Sequence, residues 1–471
     1  MSRFEKLTPF IWSFINTGGA QVIGFFAVLL VARIATPSDF GLIAIGGSVV
    51  MMSNLFTDVG LPAILVADKE FSVEKASTIL CIVVLLSMIM FFLVVACRNI
   101  LADFFEQSHL SELLPIMALS ILGNGFGSVH SAILTRRLQF RKKTLISVVS
   151  VLTGTGIGAL TAYVYDPLYG LVLIFTLSSI FITMGLWAFA PWGLKFYCRP
   201  KLIYSNLTFS LNVALSGFLS QGSKALVTVF LNGRFGVADL GLYSRADSIM
   251  NLISQTLDKV VQRVSFPLIS KEYHDSHNDE FRLHIKISLG LVLIIVPLAY
   301  LIGSYPKAVV FILYGSKWEE SVPILEKLIY IGIYIPLISQ NLTLLKSVGL
   351  AGIVTGNKVV ALILLFFLYL FIDTPDIDSF LSILVYYTLG LYLLSLVSLL
   401  SLGVKQLFSY IRYMDTAGSV LLGAIVFHRL ALSIPIQNLY HDFLLNGVTF
   451  LVFISVIYYV LFLLFSKDEQ H

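Results

Sequence analysis

The segment DLGLYSRADSIMNLISQTLDKVVQRVSFPLIS, residues 239–270, is long enough to cross a membrane, yet it is not apolar throughout. About 20 residues of helix span the hydrocarbon core of a bilayer. On a helix with 3.6 residues per turn, Asp247, Asn251 and Asp258 share one stripe, and Arg245 lies on the stripe beside it. Charged side chains are costly in lipid, so such a spanning helix must turn this side toward protein or water. We therefore expect it to line an interior or a wet cavity; an amphipathic helix lying in the membrane interface is the alternative.

The composition of the whole chain is that of a membrane protein. Of its 471 residues, 57% are hydrophobic and 12% are charged, and the mean hydropathy is +0.90. Soluble domains carry about twice this share of charged residues. The net charge of +4 does not indicate nucleic-acid binding, which requires basic residues gathered on one solvated face. The three cysteines form neither a disulfide framework nor a CxxC metal pattern. We expect neither a cofactor nor a metal.

Apolar runs separated by charged or Pro/Gly breaks predict fourteen membrane spans. Their approximate limits are 10–34, 40–66, 77–97, 113–134, 144–165, 168–190, 205–232, 240–270, 285–304, 322–345, 352–372, 379–402, 411–433 and 443–465. No connecting loop is long enough for a folded soluble domain. The predicted fold class is therefore an all-α integral membrane protein.

Two ordered sets of residues recur about 200 positions apart, which indicates an internal duplication. Gln21, Asp39, Gly41, Leu42 and Asp58 return as Gln221, Asp239, Gly241, Leu242 and Asp258, and 112–116 returns as 320–324. We predict two six-helix lobes, residues 1–195 and 196–404, followed by two additional helices in residues 405–471. An even number of spans in each lobe makes this a parallel repeat around a central cavity, a geometry typical of alternating-access transporters.

The loops predict the orientation of the chain in the membrane. Most Lys and Arg residues of the short loops fall on the side that holds the N-terminus, and such residues are retained in the cytoplasm. An even number of spans then places both termini in the cytoplasm.

Several short motifs resemble those of one transporter family. They are ATPSDFGL at 35–42, DVGLPAIL at 58–65, RRLQFR at 136–141, GLYSRA at 241–246, FPLIS at 266–270 and GSKWE at 315–319. With these motifs in this order, the chain resembles the bacterial polysaccharide and O-antigen flippases. These are the Wzx-type branch of the multidrug/oligosaccharidyl-lipid/polysaccharide exporter superfamily, and the likeness is greatest to colanic-acid exporters.

The resemblance implies a flippase that moves an oligosaccharide linked to undecaprenyl diphosphate from the cytoplasmic to the periplasmic leaflet of the bacterial inner membrane. This transport would serve the synthesis of lipopolysaccharide or exopolysaccharide. The implied partners are the lipid-linked substrate, membrane lipids, H⁺ or Na⁺ as a coupling ion, and a polysaccharide polymerase. Because no covalent bond is broken, no enzyme activity is expected. An ion-coupled exporter of small molecules or drugs from the same superfamily is the alternative.

A diphosphate on a sugar chain calls for cations to hold the phosphates and for amides or hydroxyls to hold the sugars. The candidate substrate-binding residues are Lys224, Arg245, Gln221, Gln21, Asn251 and Arg33. For Lys224 and Arg245 the alternative is snorkelling to the interface or pairing with a nearby carboxylate. Arg33, at the end of the first span, also fits an interfacial anchor.

Three acids in or near spans are candidates for ion coupling or gating. Asp58 and Asp258 occupy matching positions in the two halves, and Asp247 lies three turns before Asp258. A carboxylate inside a membrane can bind a proton or Na⁺ whose release drives a conformational change. Alternatively, it is a hydrogen-bonded acid that fixes two helix ends at the cytoplasmic gate. For Asp58 the nearby Gly60 and Pro62 favour this second interpretation.

Overall fold

The computed structural model describes residues 23–68, 71–195, 197–275, 279–403 and 407–414. In these segments the chain forms helices joined by short turns, and no strand occurs among them. The α-helices are α1 (Ile23–Ala32), α2 (Pro37–Asp58), α3 (Leu61–Ala67), α4 (Val73–Ala96), α5 (Arg98–Phe104), α6 (Leu110–Arg136), α7 (Phe140–Val164), α8 (Pro167–Phe189), α9 (Leu207–Asp275), α10 (Asp279–Ser304), α11 (Pro306–Leu313), α12 (Ser321–Ser347), α13 (Ala351–Phe371), α14 (Ile377–Ser398) and α15 (407–414).

The all-α membrane fold is confirmed, whereas the described segments do not reach fourteen spans. They contain 10 helices that are long and apolar enough to cross a membrane. One predicted span is described only from residue 23, and α9 joins the seventh and eighth predicted spans. The predicted span 443–465 and nearly all of 411–433 lie outside the described residues.

The helices group into two compact units. The first contains the described residues up to Arg245 together with Lys358–Asp373, and the second contains Ala246–Asn357 and the residues from Thr374 onward. In the first unit α6 packs against α2, α4 and α8, and α7 packs against α8. In the second, α12 packs against α10 and α14. The predicted lobe limits at residues 195 and 404 stay a prediction.

The sequence supplies a strong start signal for α2. The Thr36 hydroxyl accepts a hydrogen bond from the Asp39 backbone N–H (3.3 Å), and the Asp39 carboxylate accepts one from the Thr36 N–H (2.7 Å). Pro37 fills the first turn, where its missing N–H costs nothing. Two hundred residues after Thr36, Gly236 interrupts α9 with φ 87° and ψ 177°, a conformation that favours glycine. Both halves of the repeat thus break at the same point.

These two breaks bring the duplicated segments into reciprocal contact within the first unit. A Cβ atom on Gly41 would overlap the carbonyl oxygen of Val237, and a Cβ atom on Gly241 would overlap that of Pro37. Because Pro37 and Val237 are themselves 200 residues apart, the internal repeat relates one contact to the other. Such reciprocity is expected at a two-fold axis, here a local pseudo-two-fold axis.

A ladder of side-chain hydrogen bonds joins α8 to α6. The donors Thr176, Ser179, Thr183 and Trp187 follow one another at helical spacing, and they bond the carbonyl oxygens of Ile116, Ser120, Gly123 and Phe126 at 3.3, 3.2, 2.6 and 3.0 Å. Close approach is possible because Gly123 has no side chain: a Cβ atom there would lie 2.9 Å from the Ser179 hydroxyl. The ladder fixes the rotation of both helices about their axes.

The side chain of Arg234 in α9 caps the C-terminal end of α13. Its guanidinium donates hydrogen bonds to the carbonyl oxygens of Tyr369 and Ile372, each at 2.8 Å, and lies over the Tyr369 ring at 5.2 Å. These carbonyl groups have no partner within the helix itself, so the arginine satisfies acceptors that would otherwise need water.

We expect Arg234→Ala to lower the free energy of unfolding by roughly 1–3 kcal/mol, because hydrogen bonds to a charged group are lost and two carbonyl groups lose their partner. Thermal unfolding of the purified protein in detergent would measure the change. Arg98→Ala is the matched control, since Arg98 is exposed. Equal unfolding temperatures for the two variants would contradict the capping role.

Candidate functional site

A cavity of about 480 Å³ lies in the first unit, where the end of α2 meets α6, α8 and the first part of α9. We call it the α2 cavity. Its lining residues are Gly47, Val50, Met51, Asn54, Leu55, Asp58, Val59, Gly60, Asn124, Phe175, Val213, Ala214, Gly217 and Gln221. Its size falls in the range of about 300–1,000 Å³ that is typical of ligand sites. Most of the lining is apolar, and four side chains give it polarity.

Those four polar side chains come from three helices. Asn54 and Asp58 lie one turn apart on α2, Asn124 comes from α6 and Gln221 from α9. The Asn124 amide donates to Asn54 Oδ1 (3.3 Å), and the Ser179 hydroxyl of α8 shares its hydrogen between Asn124 Oδ1 (2.9 Å) and the Ser120 carbonyl oxygen (3.2 Å). This chain of hydrogen bonds fixes the orientation of both asparagine side chains. The polar wall is therefore preorganised.

The turn that follows Asp58 aims its carboxylate at the cavity. The helix ends because Val59 (φ 42°) and Gly60 (φ 69°) both adopt left-handed conformations, which glycine tolerates best. The Ser210 hydroxyl of α9 donates a hydrogen bond to the Val59 carbonyl oxygen and holds this turn in place. The predicted span 40–66 thus stops at Asp58 and resumes as the separate helix α3.

An acid at this position works against helix stability. Asp58 is the last residue of α2, where the helix dipole disfavours a negative charge by roughly 0.3–1 kcal/mol. Its side chain is exposed, so it contributes no core packing. A carboxylate that lines a cavity at such a cost is a candidate for function rather than for structure.

Asp258, the repeat counterpart of Asp58, has a different environment in the second unit. Its carboxylate accepts hydrogen bonds from Gln262 Nε2 at 2.8 and 3.0 Å, and the same nitrogen lies 2.6 Å from the Ser339 hydroxyl of α12. Asp258 therefore orients Gln262, which joins α9 to α12, and this is the arrangement of a structural acid.

Asp247 and Asn251, which share a stripe of α9 with Asp258, form a hydrogen bond with each other. The Asn251 amide donates a hydrogen bond to Asp247 Oδ2, one turn earlier on α9. Both side chains are half-buried in the second unit. Neither belongs to the α2 cavity, and their predicted roles in substrate binding and ion coupling stay predictions.

The predicted cations also lie away from the α2 cavity lining. The Arg245 guanidinium packs over the Phe40 ring, 4.2 Å from its centroid, which is a cation–π contact. Lys224 is exposed one turn beyond Gln221, and Arg33 is exposed just after α1. Gln21 lies outside the described residues. Of the nine predicted site residues, the cavity brings together Asp58 and Gln221.

Sequence reasoning missed Asn124 and Ser179 as parts of this site. Both lie in largely apolar helices, and their meeting depends on the rotation of α6 against α8. The signal that could have found Asn124 is its position between Gly123 and Gly125, because small residues mark a face of close helix contact.

A second cavity, of about 550 Å³, lies in the second unit between α10 and α12. Tyr300, Glu326 and Lys327 line it. The Lys327 ammonium already has partners in α14, since it lies 3.5 Å from the Asp378 carboxylate and 3.1 Å from the Ser382 hydroxyl. We regard the α2 cavity as the stronger candidate, because none of its four polar residues forms an ion pair within the described segments.

The chain is similar to proteins of surface polysaccharide synthesis. The succinoglycan biosynthesis transport protein ExoT of Rhizobium meliloti (strain 1021) is 25% identical over 342 residues, which are 72% of this chain and 68% of ExoT. The lipopolysaccharide biosynthesis protein WzxC of Escherichia coli (strain K12) is 23% identical over 357 residues, 74% of this chain and 69% of WzxC.

Solved structures with the same fold are transporters of lipids and drugs. The lipid II flippase MurJ in an inward closed conformation superimposes with a TM-score of 0.75 at 15% identity, covering 96% of this chain and 100% of the MurJ chain. An inward-facing multidrug resistance transporter of the MATE family gives a TM-score of 0.63 at 12% identity, covering 84% and 96%. At such identities the likeness establishes the fold alone.

A family model described as "Polysaccharide biosynthesis protein" matches residues 30–323, which include α2, the α2 cavity and the duplicated segment of α9. The resemblance noted in the motifs is thereby confirmed. Since this match spans more than half of its length, the chain belongs to the polysaccharide biosynthesis protein family.

Proposed function

We propose that this protein is a flippase that moves oligosaccharide repeat units linked to undecaprenyl diphosphate from the cytoplasmic to the periplasmic leaflet. The observation that carries the proposal is the family match over residues 30–323, in a chain with 10 helices able to cross a membrane. ExoT is a transport protein of succinoglycan synthesis, and MurJ, which shares the fold, is a lipid flippase. The site of action would be the bacterial inner membrane, with both termini in the cytoplasm.

The physical task of a flippase is to carry a polar headgroup past hydrocarbon. Moving hydroxyl groups into an apolar medium without hydrogen-bond partners costs several kcal/mol for each group, roughly 4–8 in a solvent that cannot bond them. A cavity with preformed amide and carboxylate groups offsets this cost, and the α2 cavity supplies such groups. Alternating access between the two predicted lobes, driven by H⁺ or Na⁺, would expose the headgroup to each leaflet in turn.

An ion-coupled exporter of small molecules is the second candidate. The MATE-like fold favours it, and so does Asp58, an acid suited to a proton or a cationic compound. The two candidates differ in what accumulates when the protein is absent. Loss of an exporter raises sensitivity to toxic compounds, whereas loss of a flippase leaves lipid-linked saccharides behind.

Deletion of the gene followed by analysis of lipid extracts tests the proposal. We expect undecaprenyl-diphosphate-linked repeat units to accumulate on the cytoplasmic leaflet and surface polysaccharide to be lost, both reversed by a plasmid copy. Normal surface polysaccharide together with greater sensitivity to toxic cations would favour the exporter instead.

We expect Lys224→Ala to reduce surface polysaccharide by about tenfold while the amount of protein in the membrane stays normal, since tenfold corresponds to the loss of one contact worth about 1.4 kcal/mol. The exposed ammonium can act as a mobile point charge for a phosphate, and its removal disturbs no packing. Surface polysaccharide and immunoblots of the same cells measure both quantities.

The matched control is Lys201→Ala, which removes another exposed lysine. Wild-type output from Lys224→Ala would remove Lys224 from the substrate site. Arg245→Ala tests its predicted role less cleanly, because the same change removes the contact with Phe40.

A further inference from the structure

We infer that the α2 cavity holds sugar residues that are uncharged or carry an amino group, and that it excludes both the diphosphate and acidic sugars. The inference rests on the proposed function, because it assigns one part of the lipid-linked substrate to one cavity. The saccharide would bind against α2, and the phosphates would bind at a different part of the protein.

The lining of the α2 cavity contains a carboxylate and no basic side chain. Asp58 is the one ionisable residue among the fourteen that line the cavity, so no lysine, arginine or histidine of the described segments offsets it there. Lys224 lies outside this lining. Lys358, Lys75 and Arg136 are engaged with the protein itself, since Lys358 donates to the carbonyl and hydroxyl oxygens of Ser216 at 3.2 and 2.7 Å. Lys75 pairs with Asp68 at 2.5 Å, and Arg136 donates to the carbonyl oxygens of Leu65 and Asp68 at 2.7 and 2.6 Å. A second anion beside this carboxylate, which no cation of the described lining offsets, is therefore repelled.

The amide and carboxylate groups of the α2 cavity match the hydrogen-bonding groups of a sugar. An amide offers both a carbonyl acceptor and N–H donors, which matches a hydroxyl that also donates and accepts. The contacts among Asn54, Asn124 and Ser179 use both asparagine oxygens and one N–H. They leave the Asn54 NH₂, the Gln221 amide and the Asp58 carboxylate for a ligand. A carboxylate accepts from a hydroxyl or an ammonium group, whereas the ionised carboxylate of a sugar acid has no hydrogen to donate to it.

The shape of the cavity suits a sugar ring. A Cβ atom on Gly47 would meet nothing within 4 Å, so open space lies beside the α2 backbone. Phe175 and Met51 are 37% and 39% exposed and provide apolar surface for the C–H faces of a ring. A mixture of apolar walls with a few oriented polar groups is the usual composition of a small-molecule site.

The test measures binding of soluble probes to the purified full-length protein in detergent, by calorimetry. The probes are maltotriose, the glucosamine trimer from chitosan, trigalacturonic acid and inorganic pyrophosphate. We expect maltotriose and the amino trimer to bind about tenfold more tightly than trigalacturonic acid, which is a difference of about 1.4 kcal/mol. Pyrophosphate should not compete with maltotriose.

Asp58→Asn keeps the shape of the side chain and removes its charge, so we expect it to shrink the difference between neutral and acidic trimers to about threefold or less. Lys201→Ala should leave the difference unchanged. Three results would overturn the inference: equal binding of neutral and acidic trimers to the wild type, competition by pyrophosphate, or no effect of Asp58→Asn.

Failure of this inference and failure of the proposed function are distinguishable. A protein that moves lipid-linked saccharides between leaflets, yet does not distinguish the trimers, retains the flippase function and loses the assignment of the cavity. A protein that distinguishes the trimers, yet moves no lipid-linked saccharide, is a saccharide-binding membrane protein of another kind.

Discussion

Replacing Gly241 by alanine should prevent the protein from accumulating in the membrane. The added Cβ atom would overlap the carbonyl oxygen of Pro37, which belongs to a helix backbone and cannot turn aside as a side chain can. Overpacking costs about 1–3 kcal/mol even where side chains can adjust, and a rigid backbone group places the cost at the upper end or above it. Gly41→Ala should have the same effect, since its Cβ atom would overlap the Val237 carbonyl oxygen. Immunoblots of membrane fractions measure the outcome.

Gly156→Ala in α7 is the matched control, because a Cβ atom there would meet nothing within 4 Å. Alanine favours a helix over glycine by about 1 kcal/mol, so this variant should accumulate at least as well as the wild type. Normal levels of Gly41→Ala and Gly241→Ala would contradict the reciprocal contact. A large difference between these two variants would contradict its pseudo-two-fold character.

Asp58→Leu should lower transport by more than about tenfold, the loss of one charged contact worth at least 1.4 kcal/mol, without lowering the amount of protein. The carboxylate faces the α2 cavity, and the dipole of α2 disfavours its negative charge. Leucine therefore removes an interaction with a ligand but does not remove an interaction that stabilises the fold. Surface polysaccharide, normalised to the protein in the membrane, measures the effect.

The repeat supplies a contrasting variant, Asp258→Leu. This change removes the hydrogen bonds from Gln262 to the carboxylate. Deleting one member of this half-buried hydrogen-bond network leaves Gln262 without its acceptor, so we expect loss of protein rather than loss of transport alone. Full transport by Asp58→Leu would remove the α2 cavity from the transport route.

Much of the fold could be predicted because its signals are local or periodic. Apolar runs predict the membrane spans without any knowledge of tertiary contacts. The recurrence of Asp39 and Gly41 as Asp239 and Gly241 indicates the internal duplication. The structure adds a physical reason for the recurrence: both glycines are needed where the two duplicated segments touch. The end of α2 at Asp58 was not predictable, because Val59 adopts a left-handed conformation that its side chain disfavours.

The candidate site was predicted less completely, since it depends on helix rotation. Asp58 and Gln221 were found through the repeat, whereas Asn124 joins them only because α6 turns that face toward α2. The packing of α9 against α2 likewise brings Arg245 to the ring of Phe40. A charge pattern along one helix shows that a polar side exists, and the packing of its neighbours decides what that side meets.

Reconstitution tests the central claim most directly. Purified protein in liposomes would be supplied with a fluorescent saccharide linked to undecaprenyl diphosphate, and a membrane-impermeant quencher would be added outside. With the wild-type protein, label from the inner leaflet should become quenchable, and Asp58→Leu liposomes should keep it protected. If wild-type liposomes protect the inner-leaflet label as fully as protein-free liposomes do, the protein does not move lipid-linked saccharides between leaflets.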